Sequence, residues 1–142
     1  MKVVVDTPIW SLALRRRRGD LSAKDSDLVT AWFKLVRKNL ALLIGPVRQE
    51  ILSGITDHAV FERLRGSLRA FDDEPLTVED YEEAARCSNR CRSAGLAGST
   101  VDYLLCAVAL RRQAWLFTTD ADFSRYARCL PLRLFPPSHR NP

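Results

Sequence analysis

The feature that most constrains the fold is a short run of β-branched residues at the start of the chain that passes directly into a helix. Residues 2–6 read KVVVD, and consecutive valines are typical of a strand buried on both faces of a parallel sheet. Thr7 followed by Pro8 fits a helix N-cap and a proline at the first helical position, so a helix is predicted from here to about Arg17. This opening favours an α/β protein.

The rest of the chain continues to alternate between strands and helices. Further short strands are predicted at 40–44, 76–78, 115–118 and 132–135. Further helices are predicted at about 22–39, 46–54, 57–71, 77–94, 100–113 and 120–128. This order predicts a three-layer α/β/α sandwich around a central parallel sheet. We expect a single domain over residues 1–136 and a Pro-rich C-terminal tail over 137–142.

The composition is that of a basic globular domain. The 142 residues carry a net charge of +5, and 18 of the 22 basic residues are arginine, whose planar fork suits phosphate. The longest apolar run, 103–110, is far shorter than the roughly 18 residues that span a membrane. Only three apolar residues follow Lys2 before Asp6, unlike a secretory signal, so we expect a cytoplasmic protein with no membrane partner.

The cysteines do not form a metal-binding pattern. The four cysteines include no CxxC pair, and the sequence has only two histidines. We therefore expect buried structural thiols rather than a zinc site or a disulfide framework.

Acidic residues follow the predicted strands at two places. Asp6 ends the first strand, and Asp120 and Asp122 come directly after the strand at 115–118. Because sites in open parallel sheets form outside the carboxyl ends of the strands, we expect these side chains to lie at one edge of the sheet. The simpler alternative is that Asp6, and one of the pair Asp120 and Asp122, only caps the helix that follows it.

Two further acids are candidates for the same site. Asp102 begins a helix whose positions 103–110 are all apolar, and a carboxylate on such a central helix needs a partner to offset its desolvation. Alternatively, Ser99 and Asp102 have the spacing of a capping box. Glu50 lies on the inner side of its short predicted helix, although a solvated glutamate is the usual explanation for a single one.

Convergence of these acids would create a site that requires a cation. Clustered carboxylates raise one another's pKa values unless a cation lies among them. Oxygen ligands without cysteine or histidine favour Mg²⁺ or Mn²⁺ over zinc. A divalent ion held in this way supports phosphodiester hydrolysis. On a basic protein, the pattern indicates a nuclease.

The sequence resembles the PIN-domain ribonucleases, and among them the VapC-like toxins of bacterial toxin–antitoxin pairs. Four segments carry the resemblance in order along nearly the whole chain: KVVVDTPIW, PVRQEILSGI, GLAGSTVDYLLCAVAL and LFTTDADFSRYA. The resemblance implies a compact α/β/α fold with a parallel sheet and a divalent-metal site of three or four acids.

By position, the resemblance implies that the catalytic and metal-binding acids are Asp6, Glu50, Asp102 and Asp120. The first, third and fourth would hold Mg²⁺ or Mn²⁺ directly, and Glu50 directly or through water. Thr118 matches a hydroxyl position two residues before the last of these acids, and Asp122 a more variable acidic one. Pro8 stands where many relatives carry a small hydroxyl residue, which leaves Thr7 as the hydroxyl in that segment. The implied activity is that of an endoribonuclease that hydrolyses RNA.

Other functions are compatible with parts of the pattern. A haloacid-dehalogenase-like phosphatase requires DxD after the first strand, whereas Asp6 is followed by Thr7 and Pro8. A receiver domain requires a late lysine at a strand end, and the last lysine of this chain is Lys38. An alternative of another class is a non-catalytic RNA-binding or protein-interaction module of the same fold, in which the acids only cap helices.

One predicted helix, at about 25–39, carries more apolar surface than a single core requires. Its apolar positions span roughly 200° of the helix, whereas a helix that covers one core needs only about 100°. These positions are Leu28, Val29, Ala31, Trp32, Phe33, Leu35 and Val36. They predict a groove for a second protein, and the resemblance implies a cognate antitoxin that directs a basic side chain toward the acids. We also expect a homodimer; the alternative is that helices of the same chain cover this face.

Overall fold

A computed structural model describes residues 1–136 of the chain, and the predicted tail at 137–142 lies outside the described residues. Its sheet has three parallel strands, with β1 (Val3–Val5) between β2 (Ala41–Leu42) and β3 (Trp115–Phe117). The three valines of β1 are completely buried, as predicted for a strand that is covered on both faces.

Seven α-helices surround this sheet in the described part of the chain. They are α1 (Thr7–Arg15), α2 (Ala23–Arg37), α3 (Gly45–Leu52), α4 (His58–Leu68), α5 (Val78–Ser93), α6 (Thr100–Arg111) and α7 (Asp122–Tyr126). The parallel sheet flanked by helices confirms the predicted α/β fold. None of the described helices has both the length and the apolar character needed to cross a membrane.

Helix α6 is the central helix of the domain, as its sequence predicted. All residues from 103 to 109 are buried, and the helix packs against β1, β3 and α5. Asp80, in the first turn of α5, forms ion pairs with Arg111 and Arg112 at the end of α6, so α5 and α6 run antiparallel. The first turn of α6 therefore lies at the opposite end, where the site acid Asp102 is located.

Several predicted elements are shorter than expected or do not form. The strand predicted at 40–44 contracts to β2, and the one predicted at 132–135 is reduced to an isolated bridge between Leu134 and Leu116. The strand predicted at 76–78 is wrong, and the nearby bridge between Asp73 and Leu43 lies outside that segment. Prolines that cannot donate to a ladder stand beside both segments, and Thr77 at 76–78 instead caps α5. Asp6, rather than Thr7, is the N-cap of α1.

The prediction that Trp32 contributes to a docking surface is wrong. Trp32 is buried and packs edge-on against Trp10, with ring centroids 5.5 Å apart, and Phe71 completes the aromatic cluster. Helix α1 and the loop after α4 therefore cover most of this face of α2, in agreement with the alternative that the same chain covers it. Phe33 alone among its large apolar side chains remains exposed in the described structure, at 47%. Three of the four cysteines are buried.

Candidate active site

The site is built around Asp6, which follows β1 and begins α1. Its carboxylate is buried and accepts hydrogen bonds from the Thr7 backbone N–H (2.8 Å) and the Thr118 hydroxyl (2.7 Å). Burial raises the pKa of Asp6 from 3.8 to about 6 against the opposing effect of these hydrogen bonds, and the negative charges of Asp102 and Glu50 add to the rise. The capping role proposed as the simpler alternative is therefore real, but it does not relieve the cost of the buried charge.

Thr118 connects the ends of two neighbouring strands. Its hydroxyl donates to Asp6 after β1 and accepts a hydrogen bond of 3.0 Å from the backbone N–H of Asp120 after β3. Since β1 and β3 are parallel neighbours, their carboxyl ends meet at one edge of the sheet, as the sequence predicted. One hydroxyl thus sets the position of one acid and the backbone of another.

Three carboxylates lie together at this edge. Asp102, Asp120 and Asp122 each offer an oxygen, and these three atoms all lie within 4.8 Å of one another. The backbone N–H of Asp122 donates to Asp120 Oδ1 at 2.9 Å, which holds the two acids of the loop together. Among the side chains that the structure describes, the only cation paired with this group is the exposed Arg125, 3.3 Å from Asp122. An all-oxygen group with so little compensating charge fits a hard divalent cation.

Asp102 enters this group from the first turn of α6. Ser99 caps the helix by accepting a hydrogen bond from the Asp102 backbone N–H at 3.1 Å. The Asp102 carboxylate does not return to the Ser99 N–H; it accepts a 2.8 Å hydrogen bond from the hydroxyl of Tyr126. Burial, together with the adjacent Asp102, raises the pKa of Tyr126 well above its usual range, so this hydroxyl is a persistent donor. Only half of the capping box suggested by the sequence is present.

Glu50 approaches from α3 on the other side of Asp6. It is exposed, and its Oε1 accepts a 3.0 Å hydrogen bond from the Thr7 hydroxyl. Thr7 therefore touches both acids, through its backbone N–H to Asp6 and its hydroxyl to Glu50. Glu50 lies outside the group of three close carboxylates, but its charge contributes to the raised pKa of Asp6.

The structure thus assembles the predicted residues into two connected parts. Asp102, Asp120 and Asp122 form the close group, while Asp6 and Glu50 are joined through the two threonines. Asp122, considered only as a supporting residue from the sequence, is a full member of the group. Sequence reasoning missed Tyr126, because nothing about a tyrosine in a short helix predicts that its hydroxyl reaches an acid 24 residues earlier.

Comparisons with known proteins agree with this architecture. Residues 3–128 match the PIN domain family. The chain is 30% identical over 140 residues to the ribonuclease VapC11 of Mycobacterium tuberculosis and to the VapC ribonuclease Mb1587 of Mycobacterium bovis. In both cases the match covers 92% of this chain and 96% of the relative.

Solved structures share the fold at lower identity. FitAcB from Neisseria gonorrhoeae superposes with a TM-score of 0.74 at 16% identity, covering 96% of this chain and 99% of that one. VapBC2 from Rickettsia felis, bound to a DNA fragment from its promoter, superposes with a TM-score of 0.73 at 18% identity, covering 95% and 98%. With the family match over most of its length and two relatives at 30% identity, the chain belongs to the PIN-domain family.

Proposed function

We propose that this protein is a divalent-metal-dependent endoribonuclease that acts as the toxin of a toxin–antitoxin pair. The observation that carries the proposal is the group of three carboxylates within 4.8 Å, beside the buried Asp6, at the carboxyl edge of a PIN-domain sheet. The relatives at 30% identity are named VapC ribonucleases, which supports RNA as the substrate.

Mg²⁺ or Mn²⁺ is the proposed cofactor, since all the candidate ligand atoms are carboxylate oxygens. Asp102 and Asp120 would hold the ion together with Asp6, with Asp122 as a further ligand and Glu50 contributing directly or through water. When bound, the ion supplies Lewis-acid chemistry, lowering the pKa of water and offsetting negative charge on the phosphate. The raised pKa of Asp6 supports this assignment, because it indicates a carboxylate that lacks a compensating positive charge.

The protein's own groups would orient the acids and the substrate backbone. Thr118 fixes Asp6 and Asp120 through its single hydroxyl, and Thr7 performs the same task for Asp6 and Glu50. Arg15 and Arg16 line a groove of about 320 Å³ along α1, the helix that Asp6 caps. We propose that these guanidinium groups bind phosphates of the RNA backbone, which positions the chain without selecting its bases.

We propose that a small antitoxin protein encoded beside this one inhibits the enzyme. The groove along α1 offers an apolar floor of Pro8 and Leu12 beside the two arginines, and Phe33 on α2 adds exposed aromatic surface. Phe33→Glu should weaken binding of that neighbour severalfold, measured by calorimetry, and leave RNA cleavage unchanged because α2 contributes no carboxylate to the site. Equal binding by the variant and the parent would put the docking surface elsewhere.

The enzymatic proposal is tested by cleavage of end-labelled single-stranded RNA with the purified full chain. Cleavage is expected in Mg²⁺ or Mn²⁺ and not in EDTA. Asp120→Asn should abolish it, while Glu83→Gln, which removes an acid paired with Arg86 on the exposed side of α5, should not. Undiminished cleavage in EDTA would overturn the metal mechanism, and RNA binding without cleavage in either metal would support the non-catalytic alternative.

A further inference from the structure

Tyr126 is the one buried side chain that donates a hydrogen bond to the group of three carboxylates in the described structure. Its ring is 1% exposed and packs against Tyr103 and Phe123, with ring centroids 5.2 and 5.3 Å away. From this packed position its hydroxyl reaches Asp102 Oδ2 at 2.8 Å. The donor is therefore fixed by aromatic contacts with both α6 and α7, and the acceptor belongs to α6.

Gly98 makes this arrangement possible. A Cβ atom on Gly98 would collide with the Tyr126 hydroxyl oxygen, lie only 2.8 Å from its Cζ and come within 3.0 Å of Tyr103 Cζ. Gly98 does not have a positive φ, unlike Gly54 and Gly95, so its backbone conformation does not require glycine. Space for the tyrosine is the reason that the structure offers for glycine at this position.

The position of Asp102 in its helix is one from which an aspartate can adopt a different hydrogen bond. An aspartate three residues after a hydroxyl N-cap can turn back and accept from the N-cap backbone N–H. Asp80 does this with Thr77 at 2.8 Å, in the same position of the neighbouring helix. The equivalent movement of Asp102 toward Ser99 would withdraw its carboxylate from Asp120 and Asp122.

We propose that Tyr126 is a positioning residue that holds the Asp102 carboxylate in the metal-binding arrangement and out of the capping-box conformation. This inference rests on the proposed metal site. A residue that orients a ligand affects metal binding even though it does not touch the metal, and losses of about 10- to 100-fold are typical for such partners. Gly98 supports the same arrangement by leaving room for the hydroxyl.

Tyr103 provides a matched control for the test. It is a second buried tyrosine in contact with the Tyr126 ring, and its hydroxyl has no hydrogen-bond partner among the described residues. Tyr126→Phe and Tyr103→Phe each remove one buried hydroxyl from the same aromatic cluster. Only the first removes a hydrogen bond to a carboxylate.

The experiment measures Mn²⁺ affinity of the full chain by electron paramagnetic resonance, with RNA cleavage measured in parallel. Tyr126→Phe should weaken Mn²⁺ binding by roughly 10-fold, and Tyr103→Phe by less than twofold. Gly98→Ala, which displaces the hydroxyl without deleting it, should weaken binding in the same direction and keeps the test decisive if Tyr126→Phe does not fold.

The outcomes separate this inference from the proposed function. Equal Mn²⁺ affinity of Tyr126→Phe and the parent, or equal losses in both tyrosine variants, would overturn the positioning role. Absence of Mn²⁺ binding by the parent chain would also overturn it. If the parent binds Mn²⁺ but cuts no RNA, the proposed ribonuclease fails, while a selective loss of affinity in Tyr126→Phe still supports the positioning role.

Discussion

Asp80 at the start of α5 and Asp102 at the start of α6 occupy the same position of their helices, yet the fold places them in opposite chemical environments. Each lies three residues after a hydroxyl-bearing N-cap. Asp80 is fully buried, and Arg111 and Arg112 donate to its two oxygens at 2.6 to 2.9 Å. Among the described residues, the Asp102 carboxylate accepts a hydrogen bond only from the neutral Tyr126 hydroxyl, and it faces two further acids.

This difference shows that a capping pattern alone does not decide what an aspartate does. The hydrogen bonds and charge of Arg112 hold the pKa of Asp80 well below its usual range. Near the opposite end of α6, a helix of 12 residues and about 18 Å, burial instead raises the pKa of Asp6 to about 6. At the end of α6 near Asp80, the negative charge of the aspartate is balanced by Arg111 and Arg112. Near Asp102, the only cation paired with the three carboxylates among the described residues is the exposed Arg125.

The largest expected effect comes from neutralising Asp102, the aspartate that faces other acids. Asp102→Asn should lower RNA cleavage by roughly 10³-fold or more, because it removes a candidate ligand of the catalytic ion. Its thermal midpoint in EDTA should be unchanged or higher, since one of several mutually repelling acids is removed. Cleavage rates and melting curves of the same preparations test both statements.

Asp80→Asn is the matched control for that experiment. Assayed at a temperature where it remains folded, it should cut RNA at the parent rate, because Asp80 lies at the other end of α6. If Asp102→Asn unfolds instead of losing cleavage, Asp102 serves helix stability and the contrast between the two aspartates fails.

The second effect is on the stability of the fold and concerns Asp80, the aspartate that is paired with two arginines. Asp80→Asn should lower the free energy of unfolding by about 3 kcal/mol, because it removes the buried carboxylate that pairs with Arg111 and Arg112 and leaves Arg112 with Glu74 alone. Urea unfolding measures this loss. Glu83→Gln on the same helix breaks an exposed ion pair with Arg86 and should cause no measurable change. Similar values for the two variants would show that burial of Asp80 does not strengthen its ion pairs.

The third effect is that the free energy of unfolding depends on pH with opposite signs for Asp6 and Asp80. The pKa of Asp6 is raised to about 6, so the folded apo-protein binds more protons than the unfolded chain between about pH 4 and 6. Stability therefore falls as pH rises through this window, by up to roughly 3 kcal/mol, and stays reduced above it. The lowered pKa of Asp80 gives stability above about pH 4 that is lost as pH falls further.

Urea unfolding in EDTA at a series of pH values separates these contributions. Asp6→Asn should remove the decline between about pH 4 and 6 and leave the loss of stability at lower pH. A decline of equal size in Asp6→Asn and the parent would assign it to another group.

The sequence predicted the features that depend on local pattern and missed those that depend on distant partners. The buried strand at 3–5, the apolar stretch 103–110 of α6 and the cap at Ser99 follow from sequence pattern and capping chemistry, and the structure contains all three. The strand at 76–78 failed because Thr77 is used by the capping box of α5. The apolar face around Trp32 is not a docking surface because it is covered by Trp10 of α1 and by Phe71 in the loop after α4.

The site shows the same division between local and tertiary information. Placing Asp6 and Asp120 at adjacent strand ends requires only the strand–helix order, and this was predictable. The contacts made by Thr118 and Tyr126 span 112 and 24 residues of sequence, and no single-sequence pattern encodes them. The contrast between Asp80 and Asp102 was also invisible, since the sequence gives both the same spacing to an N-cap.

The smallest expected effect is stabilisation of the folded chain by the metal. It tests whether a cation binds to Asp102 and the neighbouring acids. At a Mn²⁺ concentration about ten times its dissociation constant, binding to the folded state alone should add about 1.4 kcal/mol to the free energy of unfolding. Asp80→Asn should show the same increment on its lower baseline, because its site acids are intact. Asp102→Asn should show little or none, and EDTA should reverse the effect in the parent chain. An equal increment in Asp102→Asn would mean that Mn²⁺ binds elsewhere, and the comparison between the two aspartates would then describe stability alone.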